Sequence, residues 1–260
     1  MNYQSYLKEA VAAARSAGRI LMERRGGQMR VRTKGGNRNN LVTEVDVASE
    51  KLIVGRLRKA FPEHEILAEE KGYGGARHEF KWIIDPIDGT TNYAHGYPVF
   101  CISIALEQAG EPIVGVVFNP NTRELFTAIV GRGAFLNGKP IQVSGVRKLQ
   151  ESLLSTGFPP HLDRRLARHI RHFEKFLRAA HGVRRAGSAA MDLCYVAAGH
   201  CEAFYELKLS PWDVAAGVLI VREAGGTVTH YDGSPYRIYA GDIVASNGRI
   251  HQNVLKIVNS

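Results

Sequence analysis

The stretch Trp82-Ile83-Ile84-Asp85-Pro86-Ile87-Asp88-Gly89-Thr90-Thr91-Asn92-Tyr93 constrains this chain more than any other. Trp82 to Ile84 is short, apolar and β-prone, the pattern of a buried strand. It runs into Asp85, and Pro86 has no N–H to carry ladder pairing, so the strand is expected to stop there. Asp88 follows, and Gly89-Thr90 reads as the mouth of a helix or turn. Two carboxylates this close at a strand end repel each other unless a cation sits between them. Oxygen donors suit a hard divalent cation, above all Mg²⁺. Gly89 lets backbone approach a ligand closely, and successive free N–H groups there can hold a phosphate. An ordinary Asp-Pro/Asp-Gly turn uses the same residues, so the stretch alone leaves both readings open.

The rest of the chain narrows the setting. Its 260 residues suffice for a large core, as one domain or two intimate halves. No apolar run approaches the roughly 18 residues of a membrane span, and the first residues lack the basic start and apolar block of a signal peptide. Cys101, Cys194 and Cys201 are odd in number and scattered. They read as buried free thiols of a reducing cytoplasm, not a disulfide framework or a zinc site. The formal charge of +9, from 34 Lys+Arg against 25 Asp+Glu, favours anionic partners, phosphorylated metabolites or nucleic acid.

Hydropathy periodicity places the elements. Residues 3–25 form an amphipathic helix with Leu7, Ala10, Val11, Ala14, Gly18 and Leu21 on one stripe. A basic strand over 29–34 leads into a polar, glycine-bearing segment, 35–40, expected as a mobile loop able to act as a lid. Thr43 and Asp46 have the spacing of a capping pair for a helix reaching 61. A short strand, 66–68, ends at Glu69-Glu70. Three β-rich runs over 99–129, separated by turn chemistry, read as an antiparallel meander, and Asn137-Gly138 is a tight-turn signal. From 152 the style changes to strand, helix, strand, helix, a second α/β layer system. Its first helix, 162–180, carries Leu166, Ile170, Phe173 and Leu177 as the expected core stripe. Arginines and a lysine cover the rest, a face read mainly as solvated. Ser210, Pro211 and Asp213 make a strong helix start. The fold class is therefore mixed α/β (α+β), with an N-terminal half over 1–146 and a C-terminal half over 147–260.

Taken together, Leu41-Val-Thr-Glu-Val-Asp46, Ala68-Glu-Glu70, Asp85-Pro-Ile-Asp-Gly-Thr-Thr-Asn-Tyr93, Gly187-Ser-Ala-Ala190 and Trp212-Asp-Val-Ala-Ala-Gly217 resemble the inositol monophosphatase family of magnesium-dependent, lithium-sensitive phosphatases. The resemblance implies a layered α-β-α-β-α sandwich and hydrolysis of myo-inositol monophosphate or related polyol phosphates. It implies that Glu69, Asp85 and the Ile87 carbonyl hold a first Mg²⁺. Asp85, Asp88 and Asp213 would hold a second, and Glu69 would help hold a looser third. Asp46 and Thr90 would orient and deprotonate the attacking water, and Lys34 would close over the site. Gly89 and Thr90 N–H groups would hold phosphate oxygens, with Asp88 and Asp213 also near substrate. Gly187, Ser188, Ala189 and Glu206 would meet the substrate hydroxyls.

The same resemblance implies a homodimer. It points to a bacterial branch through Arg184-Arg185-Ala-Gly-Ser-Ala-Ala-Met-Asp-Leu193, whose best-known member joins ribosomal transcription antitermination complexes. RNA or RNA polymerase is therefore an alternative partner, with Arg184 and Arg185 as contacts or dimer-interface residues. Fructose-1,6-bisphosphatase activity is the enzymatic alternative.

Overall fold

In the computed structural model, which describes residues 3–26, 31–34, 37–72, 79–158 and 165–260, the first apolar stripe becomes the inner face of α1 (Tyr3–Arg24). Small residues let this helix approach the sheet beneath it: a Cβ on Gly18 would lie 2.6 Å from the Phe118 ring. β1 (Val31–Lys34) and β2 (Asn37–Thr43) pair antiparallel. The loop expected over 35–40 is thus corrected at 37–40, which are strand backbone. A polar sequence can extend and pair, because ladder bonds come from the main chain. Gly35, Gly36 and the Lys34 side chain lie outside the described residues.

α2 (Glu44–Ala60) begins on the expected capping box. Thr43 Oγ1 accepts from the N–H groups of Val45 and Asp46, and the Asp46 carboxylate accepts from Thr43 N–H at 2.7 Å. β3 (Glu65–Ala68) runs parallel to β4 (Phe80–Asp88), and its end stands beside Ile84, just before Asp85. After α3 (Thr90–Ala94) come β5 (Cys101–Gln108), β6 (Glu111–Asn119), β7 (Glu124–Ile129), β8 (Ala134–Leu136) and β9 (Lys139–Ile141). They add antiparallel in chain order to complete a seven-stranded sheet, the expected meander. Asn137 and Gly138, at φ 49° and 77°, turn β8 into β9.

The strand does not stop at Pro86. Pairing passes from Asp85↔Ser103 to Asp88↔Cys101, leaving Pro86 and Ile87 as a bulge. The bulge absorbs the missing N–H, so β4 continues to Asp88.

The second half supplies β10 (Leu153–Thr156), α4 (Arg165–Ala179), β11 (Gly182–Arg184), α5 (Ala189–Ala197) and β12 (Ala203–Glu206). α6 (Pro211–Glu223), β13 (Thr227–Thr229), β14 (Ile243–Ser246) and α7 (His251–Val258) follow. Its five strands lie in the order β11-β10-β12-β14-β13, the first three parallel and the rest antiparallel. α1 and α2 cover the outer face of the large sheet. α5 and α6 fill the space between the two sheets, and α4 and α7 cover the far face of the small one. The architecture is α-β-α-β-α. α6 suits its central layer, since Val214 to Val221 is buried without a break.

α4 sits differently from its hydropathy. Ile170 and Leu177 are each 49% exposed, while His169, His172 and Phe176 are fully buried against the small sheet. The seat beneath the helix is polar: His169 Nε2 lies 2.7 Å from the Gly157 carbonyl and 3.2 Å from Thr156 Oγ1. Histidines therefore turn inward, a choice that apolar periodicity cannot register. All three cysteines are free and buried, as expected. Among the described residues no helix is long and apolar enough to cross a membrane.

Candidate active site

The β4 bulge reshapes the strand end chemically. Ile87 N–H folds back to donate to Asp85 Oδ1 at 2.9 Å, and the Ile87 carbonyl lies 3.0 Å from Thr90 Oγ1. Parallel pairing of β3 with β4 brings Glu69 beside this turn, with its N–H on the Ile84 carbonyl. Gly89, at φ 91°, then swings the chain into α3. A Cβ there would lie 2.9 Å from the Val99 carbonyl and 3.2 Å from that of Gly187, so only glycine fits. Asn92 Nδ2 donates to the carbonyls of Val99 and Ala186, and Tyr93 Oη to that of Leu21. These bonds stitch the turn to three layers of the fold.

Helix N-termini converge on the same place. At α2, the Asp46 carboxylate caps with one oxygen and accepts from Thr90 Oγ1 at 3.0 Å with the other. At α6, Asp213 Oδ2 accepts from Ser210 N–H at 2.7 Å. At α5, Asp88 Oδ2 accepts from both Ser188 Oγ and Ala190 N–H at 2.7 Å. The third cap is invisible in sequence, since Asp88 and Ala190 are a hundred residues apart. Positive helix ends pointed at one spot favour anions there.

Between these elements lies a cavity of about 640 Å³. Glu69, Asp85, Ile87, Asp88, Gly89, Thr90 and Asp213 line it together with Gly187, Ser188, Ala189 and Glu206. Asp46 is not on the wall but reaches it through Thr90. The Lys34 side chain is outside the described residues. Arg185 and Asp192 also border the cavity. The sequence does not single out Asp192, because a helix-borne acid four residues after a cap looks like an ordinary first-turn residue. Glu206, readable from sequence as a surface acid, is only 7% exposed on the inner strand β12.

The acids perturb one another. Burial pushes the Asp85 carboxyl well above the usual range, and the charges of Glu69, Asp88 and Asp213 push it further. Burial lifts Asp88 to about 6, with the bonds from Ser188 and Ala190 opposing the rise. Asp213 is raised by burial, then by Asp88 and Glu69. Burial also raises Asp46 against its bonds from Thr43 and Thr90. Among the described residues no three His, Cys, Asp or Glu side chains are already gathered at metal-holding spacing. The arrangement is a basin of acids, not a closed cage. All-oxygen donors that suppress each other's ionisation fit Mg²⁺, which keeps several waters and takes few protein carboxylates.

A five-layer sandwich with an acid basin where helix N-termini meet is the build of a phosphatase. The chain belongs to the inositol monophosphatase family, whose model matches residues 2–260. It is 45% identical to an inositol-1-monophosphatase of Synechocystis over 252 residues, 96% of this chain and 88% of the relative. It is 42% identical to the Nus factor SuhB of Pseudomonas aeruginosa, covering 98% of this chain and 96% of that one. Its fold matches the structure of inositol monophosphatase from Anabaena (Nostoc) with a TM-score of 0.88 at 44% identity, over 100% and 97% of the two chains.

Proposed function

We propose that this enzyme hydrolyses myo-inositol monophosphate to inositol and phosphate, using Mg²⁺ held by Glu69, Asp85, Asp88, Asp213 and the Ile87 carbonyl. The observation that carries the reading is one cavity in which these acids raise each other's proton affinity while helix N-termini face the same space. Bound there, Mg²⁺ supplies positive charge to the attacking water and to the leaving oxygen.

The chain's own residues supply the rest. Thr90 Oγ1 lies 3.0 Å from Asp46 Oδ1, so a water proton passes to Thr90 as the Thr90 proton passes to Asp46. The raised proton affinity of Asp46 suits it to accept that proton. N–H groups of Gly89 and Thr90 hold phosphate oxygens, their direction set by the constrained glycine. Gly187, Ser188, Ala189 and Glu206 receive the alcohol. Lys34 adds a cation near the phosphate, lithium inhibits by competing for a Mg²⁺ position, and the enzyme works as a cytoplasmic homodimer.

The test is phosphate release from a panel of esters with Mg²⁺, with EDTA, and with added lithium. Mg²⁺-dependent turnover highest on inositol monophosphate is expected. Preference for fructose 1,6-bisphosphate, or turnover unaffected by EDTA, overturns the reading. A second role in transcription is favoured by one observation, the near full-length similarity to proteins named Nus factor SuhB. Capture of purified RNA polymerase over a salt series tests it, and no capture at low salt removes it.

A further inference from the structure

Glu206 is not the only carboxyl on the α5–β12 side of the cavity. Asp192 stands in the first turn of α5, is 2% exposed, and still borders the cavity. An acid in a first helical turn gains its favourable field equally well in solvent. Burying it against another acid is a standing penalty that a purely structural carboxylate has no reason to carry. The neighbours are few. Asp88 is the charge that acts most strongly on it, Ser155 offers a hydroxyl, Arg185 is the cation on the same wall, and Asp192 in turn is the charge that most raises the proton affinity of Glu206. Glu206 itself is held in place, because a Cβ on Gly157 would fall on its carboxyl group. The Gly157 carbonyl is fixed in turn by His169.

Two carboxyl groups and one guanidinium on a shared wall leave acceptor oxygens in excess of donors. Hydroxyl groups of a polyol supply what is missing, and a substrate without them leaves the acceptors desolvated and unpaired. Resting on the inositol-phosphate reading above, we infer that Asp192 is a specificity-determining residue that binds substrate hydroxyls alongside Glu206. The substrate class this selects is a phosphate monoester of a polyol with neighbouring hydroxyls.

The test compares kcat/KM on myo-inositol 1-phosphate with kcat/KM on p-nitrophenyl phosphate, both with Mg²⁺. The wild-type enzyme, Asp192→Ala and Asp192→Asn are measured. The folded fraction of a preparation cancels in the ratio of the two values, so a variant that folds poorly still reads out. Asp192→Ala is expected to lower the ratio about 10- to 100-fold, the range for leaving a buried hydrogen-bonding group without its partner. The loss falls mainly in KM for the inositol ester. Asp192→Asn, which keeps one acceptor, gives an intermediate ratio. An unchanged ratio in Asp192→Ala, with both esters affected alike or neither affected, overturns the inference and leaves the substrate reading standing. A wild-type enzyme that releases no phosphate from the inositol ester overturns both.

Discussion

The acid basin and the seat of α4 both bury titratable side chains, and they do so to opposite ends. In the basin, Asp85, Asp88, Asp213 and Glu206 are all pushed towards protonation, Glu206 to about 8, with burial the largest cause each time. Under α4, burial and then the charges of Arg168, His169, Lys175 and Arg171 push His172 down to about 4, so it stays neutral. Both ring nitrogens of His172 are without a hydrogen-bond partner among the described residues. The basin acids instead divide their oxygens. Asp46 gives one to a helix cap and the other to Thr90, and Asp88 spends Oδ2 on the start of α5 while still lining the cavity. Burial of an ionisable group is therefore not the mark of a site. Like charges that repel across a ligand-sized space are that mark.

If the contrast is right, basin substitutions change turnover, and substitutions under α4 change stability alone. The largest effect is expected for Asp85→Asn and Asp213→Asn, which keep shape and hydrogen-bond acceptors but remove charge. Steady-state phosphate release should fall on the order of 10³-fold or more. Thermal denaturation without Mg²⁺ should show no loss of stability, because a repulsive charge is gone. Near-normal turnover in either variant would break the contrast at its centre.

Asp46→Asn comes next. Asn retains the α2 cap but is a poor proton acceptor, so kcat should drop about 10²-fold or more with the melting temperature held. A large fall in melting temperature instead would make Asp46 a structural cap alone.

The third effect is on stability against pH, with opposite signs in the two regions. His172 has a folded value below its ordinary 6.5, so the unfolded chain takes up protons first as pH falls. Its contribution is whole above about 6.5 and is lost between there and about 4, on the order of 3 kcal/mol. Asp88 has a folded value raised from 3.8 to about 6. Its contribution in Mg²⁺-free protein is whole below about 4 and is lost as pH rises through 6. Denaturant titrations from pH 4 to 8 test both; the two contributions oppose each other between about 4 and 6.5, so His172→Phe should remove the acid limb and leave stability falling as pH rises there, with kcat unchanged. An acid limb that persists in that variant would place the titrating group elsewhere.

Smallest is Thr43→Ala. Losing the cap hydroxyl should lower stability by about 1 kcal/mol in urea unfolding. Turnover should fall by a lesser factor than in Asp46→Asn. A greater loss of turnover than in that variant would mean that Thr43, not Asp46, serves the water.

Much of this was legible beforehand for identifiable reasons. The α1 stripe, the meander and the starts of α2 and α6 follow from periodicity and from caps that act within a few residues. The family motifs are short and contiguous, so Asp85-Pro-Ile-Asp-Gly-Thr could be read directly. The misreadings share a cause. Pro86 reads as a strand end because a bulge needs a partner strand to exist. Residues 37–40 looked like a loop because polarity does not report main-chain pairing. On α4, Ile170 and Leu177 looked like core because the polar seat under His169 is built by residues of other elements.

What the sequence determined alone was local: which segments are helical or extended, where helices begin, and that two acids flank a proline at a strand end. Only the tertiary structure decided that Asp88 caps a helix beginning a hundred residues later. It alone also brought Glu69, Asp213, Asp192 and Glu206 to the same cavity. The physical reason is range. Dihedral preference and capping are settled between neighbours, whereas charge repulsion and burial depend on which distant elements the layers press together.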